Sequence, residues 1–394
     1  QNAPNKLYLN NGNSLDITPI WTSGDSFSTN SIDWGDIDGD GDLDLAIGNI
    51  GGENQVFLNT GTTLAATPAW TSSNSVMTFG IKWADIDGDG DLDLAVANVN
   101  SPNEVYLNDG TTLATTPAWT SANAVASYEV EFGDINGDGN YDLIFGNNGP
   151  NQVYFGTGTT PYFPSTPDWT SSNSLSSQGI EIGDINMDGN LDLVVGNNNN
   201  NLELYLNTGS TLEATPSWIM LEQNDTRDIA IGDMDGDGDL DLAVANNGNP
   251  NTLFINYITT NGYTYGSGPD WISSNALNSH GVAWADIDGD GDEDLAVANF
   301  QDKPEIYTST GATLSSTDTW SNTVTVVVGD LIIWTNLDSM GHTVTEDGNT
   351  PSFDSGVITN GQTYSLSFGY AAAGNIYTYH CTPHPSMTGT IIVQ

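Results

Sequence analysis

The stretch "ADIDGDGDLDLAVAN", Ala84–Asn98, sets aspartate at alternate positions, Asp85, Asp87, Asp89, Asp91 and Asp93, with Gly88 and Gly90 between them. Five carboxylates at that density repel one another in water. The pattern makes physical sense around a cation. Oxygen donors at positions 1, 3 and 5, a backbone carbonyl at 7, a closing carboxylate at 9 and a glycine at 6 for a sharp turn are the donor logic of a calcium loop. An EF-hand closes with Glu at position 12 and lies between helices. In the first loop position 12 is Ile47 and strand-forming residues flank it, so the loop is expected between two strands.

The motif occurs six times. The first copy holds Asp36, Asp38, Asp40, Asp42 and Asp44, and the one quoted above is the second. The third holds Asp134, Asn136, Asp138, Asn140 and Asp142; the fourth Asp184, Asn186, Asp188, Asn190 and Asp192. The fifth holds Asp233, Asp235, Asp237, Asp239 and Asp241; the sixth Asp286, Asp288, Asp290, Asp292 and Asp294. Successive copies start 49, 49, 50, 49 and 53 residues apart, and position 6 is glycine in all six. Asn at position 3 keeps an oxygen donor with less charge. Met187 stands at position 4 of the fourth loop, where the others have glycine, so that loop is the one whose turn is expected to depart from the rest. These residues imply about six bound Ca²⁺.

Two further markers share the period. Tryptophan recurs at Trp21, Trp70, Trp119, Trp169, Trp218, Trp271 and Trp320, and a short apolar strand recurs as "LYLN", "VFLN", "VYLN" and variants. Each period therefore reads as four short strands, in the second unit "GIKWADI", "LDLAVAN", "EVYLND" and "PAWTS". No stretch has the periodicity of a useful amphipathic helix. Four strands per repeat predict radially packed blades, a β-propeller, over a solenoid. Seven Trp hairpins against six acidic loops predict seven sectors with the first blade incomplete. The hairpin from Leu7 to Trp21 then lacks inner strands, which come from upstream of Gln1 or from another molecule.

Composition narrows the function. The chain has 394 residues, 4 Lys+Arg and 51 Asp+Glu, a formal net charge of −47. That excludes nucleic acid as a partner and argues against an anionic membrane surface. Six Ca²⁺ would bring the charge to −35 (−47 + 12), still acidic enough to favour solubility. Eleven Trp, 15 Tyr and 11 Phe argue for a folded β protein over disorder. Single Cys381 permits no internal disulfide. No segment has the length of a membrane-crossing helix and no signal peptide is visible; a start at Gln1 fits a processed product.

After Trp320 the repeat stops, which divides the chain into a domain at 1–320 and a second at 321–394. The second reads as a small sandwich and holds His342, His380, His384, Cys381 and Met387. Cys381-x-x-His384-x-x-Met387 makes a tight loop between strands, and His342 comes from a distant one. Two imidazoles, a thiolate and a thioether are the donor set of one type 1 copper site, and a thioether suits zinc poorly. Strand alternation turns His380 away from that loop. His280, in "NSHGVAW", is expected to be a packing or surface residue, and Met340 to line the copper site without binding.

The acidic loops resemble the FG-GAP/VCBS repeats of integrin-type heads and many secreted microbial proteins, over about residues 5–320. "YHCTPHPSM" and "SMGHTV" resemble the cupredoxins, amicyanin most of all. That resemblance implies copper held by His342, Cys381, His384 and Met387, with His384 at the edge where electrons enter and leave. The expected protein is all-β: a calcium-stabilised propeller followed by an electron-transfer cupredoxin, secreted or at the cell surface, with an unidentified redox partner. The alternative is an adhesion, surface-layer or filament subunit that self-assembles through the half-blade. Too few histidines remain for a multicopper enzyme, so no catalytic activity is expected.

Overall fold

The computed structural model describes residues 3–9, 18–257, 265–266, 268–287, 291–300, 302–309, 314–316, 323–326, 331–335, 343–346, 353–359, 363–367, 376–381 and 384–393, with mostly the backbone path given for strands beyond 314. All regular elements among these residues are β-strands. The chain forms two compact units, Gln1–Leu314 and Ser315–Gln394.

The first unit opens with a hairpin, β1 (Lys6–Leu7) and β2 (Trp21–Thr22). Six antiparallel groups follow. The first is β3 (Ser28–Gly35), β4 (Asp44–Ile50), β5 (Gln55–Phe57) and β6 (Trp70–Thr71). The second is β7 (Met77–Ala84), β8 (Asp93–Val99), β9 (Glu104–Tyr106) and β10 (Trp119–Thr120). The third is β11 (Ser127–Gly133), β12 (Asp142–Gly149), β13 (Gln152–Tyr154) and β14 (Trp169–Thr170). The fourth uses β15 (Leu175–Gly183), β16 (Asp192–Tyr205) and the start of β17 (Trp218–Gly232). The rest of β17 opens the fifth, with β18 (Asp241–Asn246), β19 (Thr252–Phe254) and β20 (Trp271–Ile272). The sixth is β21 (Ser279–Ala285), β22 (Asp294–Asn299), β23 (Glu305–Ser309) and β24 (Leu314–Ser316).

These groups are the blades. In the second, Leu94 pairs with Trp83 on one side and Tyr106 on the other, and Val105 pairs with Trp119. One departure from the sequence reading is that β16 and β17 are each continuous, where four short strands are expected. The "NNNN" turn has no Gly or Pro to interrupt it, and bulges between Asn198 and Leu202 absorb the bend. Asn199 takes the left-handed φ of 50° that asparagine tolerates.

Apolar cores lie between successive blades. Ile37, Val56 and Trp70 of the first blade pack with Trp83, Leu94 and Tyr106 of the second. The same layering joins the second to the third and continues to the sixth. Each described Trp hairpin seals the blade after it, and Trp320 lies outside the described residues. Trp70 meets Tyr106 edge-on at 5.1 Å and donates its indole N–H to the Ala114 carbonyl at 3.1 Å. The N-terminal hairpin does the same to the first blade: Trp21 meets Phe57 at 5.0 Å and bonds the Ala65 carbonyl at 2.9 Å. β1–β2 is thus the outer hairpin of a sector ahead of the first blade, as the marker count predicts. Inner strands neighbour one another in the series β3, β7, β11, β15, β17, β21. Among the described residues β21 and β3 do not close that series.

The second unit holds two sheets. One runs β25 (Thr323–Val326), β30 (His384–Val393), β29 (Ile376–Cys381), β27 (Thr345–Glu346); the other pairs β26 (Leu331–Thr335) with β28 (Thr363–Ser367). Tyr379 and Ile391 of the first sheet and Tyr364 and Leu366 of the second share a core with Val344, Phe353 and Ile358. That is a sandwich.

Candidate metal centres

Each acidic loop links the first two strands of a blade and is folded by its own carboxylates. The position 1 side chain accepts from the loop backbone: Asp36 from the amides of Asp40 and Gly41, Asp85 from Gly88 and Gly90, Asp184 from Asp188 and Gly189. The position 5 carboxylate accepts from the amide two residues on, as in Asp89 from Asp91 at 3.0 Å. Positions 4 and 6 take left-handed φ, 75° and 98° at Gly88 and Gly90. Met187 adopts φ of 57° at position 4, so the fourth loop keeps the common turn with a side chain that disfavours it.

Position 9 is the pin. Asp44, Asp93, Asp142, Asp192, Asp241 and Asp294 are fully buried. In Asp93 one oxygen accepts the Ile86 amide at 2.9 Å and the other the Asn108 amide at 2.7 Å. The other five repeat this. Burial pushes the carboxyls of Asp93 and Asp241 up to about 7 and those of Asp142 and Asp192 up to about 6, with the backbone bonds opposing. A nearby cation reverses that tendency.

Among the described residues three clusters bring carboxylate oxygens within 4.8 Å of one another: Asp36, Asp38 and Asp40; Asp85, Asp87 and Asp93; Asp233, Asp235 and Asp241. Buried oxygens of Asp38, Asp87, Asp233 and Asp235 have no hydrogen-bond partner. A buried unpaired carboxylate oxygen is costly, and a hard cation removes the cost, so these residues fit Ca²⁺. The position 7 side chains fall outside the three clusters. Those of Asn140 and Asn190 donate to Asp138 and Asp188. Asp288 and Asp290 lie outside the described residues; Asp286 accepts the Gly291 amide at 3.2 Å.

One group that the sequence reading missed ties loop to loop. The Asn108 side chain donates to the Leu92 carbonyl in its own loop region and, at 2.7 Å, to the Ile37 carbonyl in the preceding loop. Asn207 reaches Ile135, and Asn256 reaches Ile185, in the same way. The signal was the final Asn of "VYLN", "LYLN" and "LFIN".

In the second unit, β29 ends at Cys381 and β30 begins at His384, and these two residues are register partners across the hairpin. Met387 follows on β30. Thr345 pairs with His380, so the segment after residue 342 runs beside the end of β29, with Thr343 and Val344 buried. The backbone therefore brings the segment from Thr343 and the Cys381–His384 pair to one end of a sheet. His342 and Met340 lie outside the described residues. The donor set of the hairpin, thiolate, imidazole and thioether, suits copper. His280 lies on the inner strand β21 and stacks on Phe300 at 5.2 Å.

A propeller with an acidic loop on each of six blades, followed by a sandwich ending in a Cys-x-x-His-x-x-Met hairpin, defines a repeat protein joined to a copper-binding domain. The chain belongs to the FG-GAP-like repeat family, which it matches at residues 1–47, 36–96, 85–145, 134–195, 184–244 and 233–297. Residues 319–394 match the copper binding proteins of the plastocyanin/azurin family. This segment is 37% identical over 79 residues to amicyanin of Paracoccus denitrificans, covering 18% of this chain and 53% of the relative. It is 32% identical over 74 residues to amicyanin-alpha of Methylorubrum extorquens, covering 18% and 60%. The chain thus spans about half the length of the curated relatives it matches. A purple cupredoxin from Nitrosopumilus maritimus is a similar solved structure, at 25% identity, 18% and 77% coverage and a TM-score of 0.17.

Proposed function

We propose that the protein carries single electrons at one type 1 copper site and that the propeller is its calcium-stabilised support, outside the cell or at its surface. The observation that carries this reading is the Cys381–His384 register pair at the tip of β29–β30 with Met387 three residues on, beside the strand that follows His342. When bound there, copper supplies a Cu(II)/Cu(I) couple. The chain's own part is to hold His342, Cys381, His384 and Met387 in one arrangement for both states, so that little reorganisation accompanies transfer. Two β-strands fix Cys381 and His384 by main-chain bonds, which is the rigidity such a site needs. The five donors of each acidic loop hold calcium, about six ions in all, and the open calcium-rich setting outside cells suits loops of this kind. The redox partner is a second protein docking near His384.

Copper loading tests the reading. The Cu(II) protein should show an intense visible band from thiolate-to-metal charge transfer, and Cys381→Ser should abolish it while the propeller still melts at the parent temperature. A colourless Cu(II) protein, or one that retains only zinc, would end it.

A further inference from the structure

We infer that the space between β21 and β3 is a docking surface for a strand–acidic loop–strand unit of this same repeat, carried on the polypeptide that leads into Asn5. The inference stands whichever ion the loops bind.

Both walls of that space are bare where every other blade is covered. Ile32 on β3 is 54% exposed, whereas its counterparts Ile81, Val130, Ile180, Ile229 and Val282 are at most 9% exposed. Trp34 is 38% exposed and its counterpart Trp83 only 8%. Leu43, in the first loop, is exposed as well. On the opposite wall Ala285 and Ala298 are exposed, while Ala84 and Ala97 in the second blade are buried. Phe300 is 42% exposed beside them. Contiguous apolar surface of this kind marks a binding face.

The covered interfaces specify the occupant. Where one blade meets the next, a small residue ends the inner strand of the first and side chains of the second lie over it: two apolar ones at Gly35, Gly133 and Gly183, and Trp284 with Glu293 at Gly232. A Cβ on Gly35 would stand 3.0 Å from Trp83 and 2.7 Å from Leu92; one on Gly183 would stand 2.7 Å from Leu240. Trp34 and Leu43 are the equivalents of Trp83 and Leu92, and they have no such residue beneath them. The occupant must therefore present Gly or Ala just before its first aspartate. Its second strand must be apolar to lie on Ala285, Ala298 and Phe300.

The outer half of that sector is already in place. Leu7 pairs with Trp21 as Val105 pairs with Trp119. The Asn5 side chain donates to Thr29 at 2.9 Å, as that of Asn103 donates to Ser127 at 2.8 Å. In the second blade Asn98, the penultimate residue of the inner hairpin, lies five residues before Asn103. The same link places the missing pair directly ahead of β1. A second copy has no inner hairpin to spare, since each of its six loops already serves its own blade.

The test repeats residues 75–98 immediately ahead of Gln1 in the full chain, which preserves the five-residue link. Amide exchange in β3 should slow at least about tenfold. Trp34 should become shielded from acrylamide, read as the difference from W34F. A84W made only in the added copy should remove both effects, because the indole cannot fit against Trp34 and Leu43. If the extended chain does not fold, a synthetic peptide of residues 75–98 titrated onto the parent chain should shield Trp34 saturably. A folded extended chain with parental β3 exchange, or a peptide without effect, overturns the inference. So does a parent chain whose β3 becomes protected as it oligomerises, which would make a second copy the occupant.

Discussion

Met187 shows how one residue can carry strain that its five counterparts avoid. It holds φ of 57° where the other described loops have glycine at φ 71–75°, and its side chain is exposed and contributes no core packing. A left-handed L-residue costs about 1–2 kcal/mol, of which glycine returns part through its freer unfolded chain. Met187→Gly should therefore stabilise the protein by about 1 kcal/mol, measured as a higher urea midpoint at unchanged slope. At the same scale, each buried aspartate at position 9 anchors two backbone amides, and in the second and fifth loops Asp93 and Asp241 also join the carboxylate clusters.

At the scale of the element, the blade is a strand pair, a pinned loop and a Trp hairpin that clamps the neighbour. Asn108 is the smallest part that joins two such elements. Its removal strands the Ile37 and Leu92 carbonyls without that donor while leaving the Asn108 amide bond to Asp93 intact. Unsatisfied buried groups cost about 1–3 kcal/mol each. Asn108→Ala should lower the melting temperature and weaken ion binding in the first loop as well as the second, read by calorimetry. The Trp clamp is worth more. Trp70→Ala removes the Tyr106 contact and the Ala114 bond together, and such core truncations cost about 3–5 kcal/mol.

At the scale of the molecule, charge governs. A cavity of about 770 Å³ runs between the inner strands, and Glu129, Glu131, Glu181 and Asp228 face it with Asp33, Lys82, Arg227 and His280. Lys82 and Arg227 are half of the chain's four Lys and Arg residues. Lys82 pairs with Glu131 at 2.6 Å, and Arg227 with Asp225 at 2.8 Å. Burial, then Glu131 and Asp228 nearby, push Glu181 up to about 8 against the pull of Lys82; burial pushes Asp228 up to about 7. Between the ordinary carboxylate range and about pH 8 the folded chain holds protons that the unfolded chain has released, so stability falls as pH rises through that window. Glu181→Gln should be more stable than the parent at pH 8, by about 1 kcal/mol after screening by channel water. Below pH 4 the two should melt together.

Calcium held in the acidic loops, as proposed above, would act on the whole propeller in the opposite sense. Ions that bind the native state alone stabilise by roughly 2.7 kcal/mol per site at a hundredfold excess over Kd. A chelator should therefore lower the melting temperature steeply, and metal analysis should find about six calcium ions per chain. An unchanged melt with far fewer ions would refute the ligand assignment.

The sequence by itself determined whatever repeats. Period, loop chemistry and the hairpin ahead of the first blade are legible because identical physics recurs every 49 or so residues, and a donor pattern such as Cys381-x-x-His384-x-x-Met387 is local by construction. Tertiary structure alone decided what depends on neighbours far apart in the chain. Asn108 reaches a carbonyl 71 residues away. The channel carboxylates come from four different inner strands, and Ile32 looks like a core residue in sequence, exactly as Ile81 is in space. Only the packing of blades shows that one of those two isoleucines has a neighbour and the other does not, because burial belongs to the pair of surfaces and no single strand encodes it.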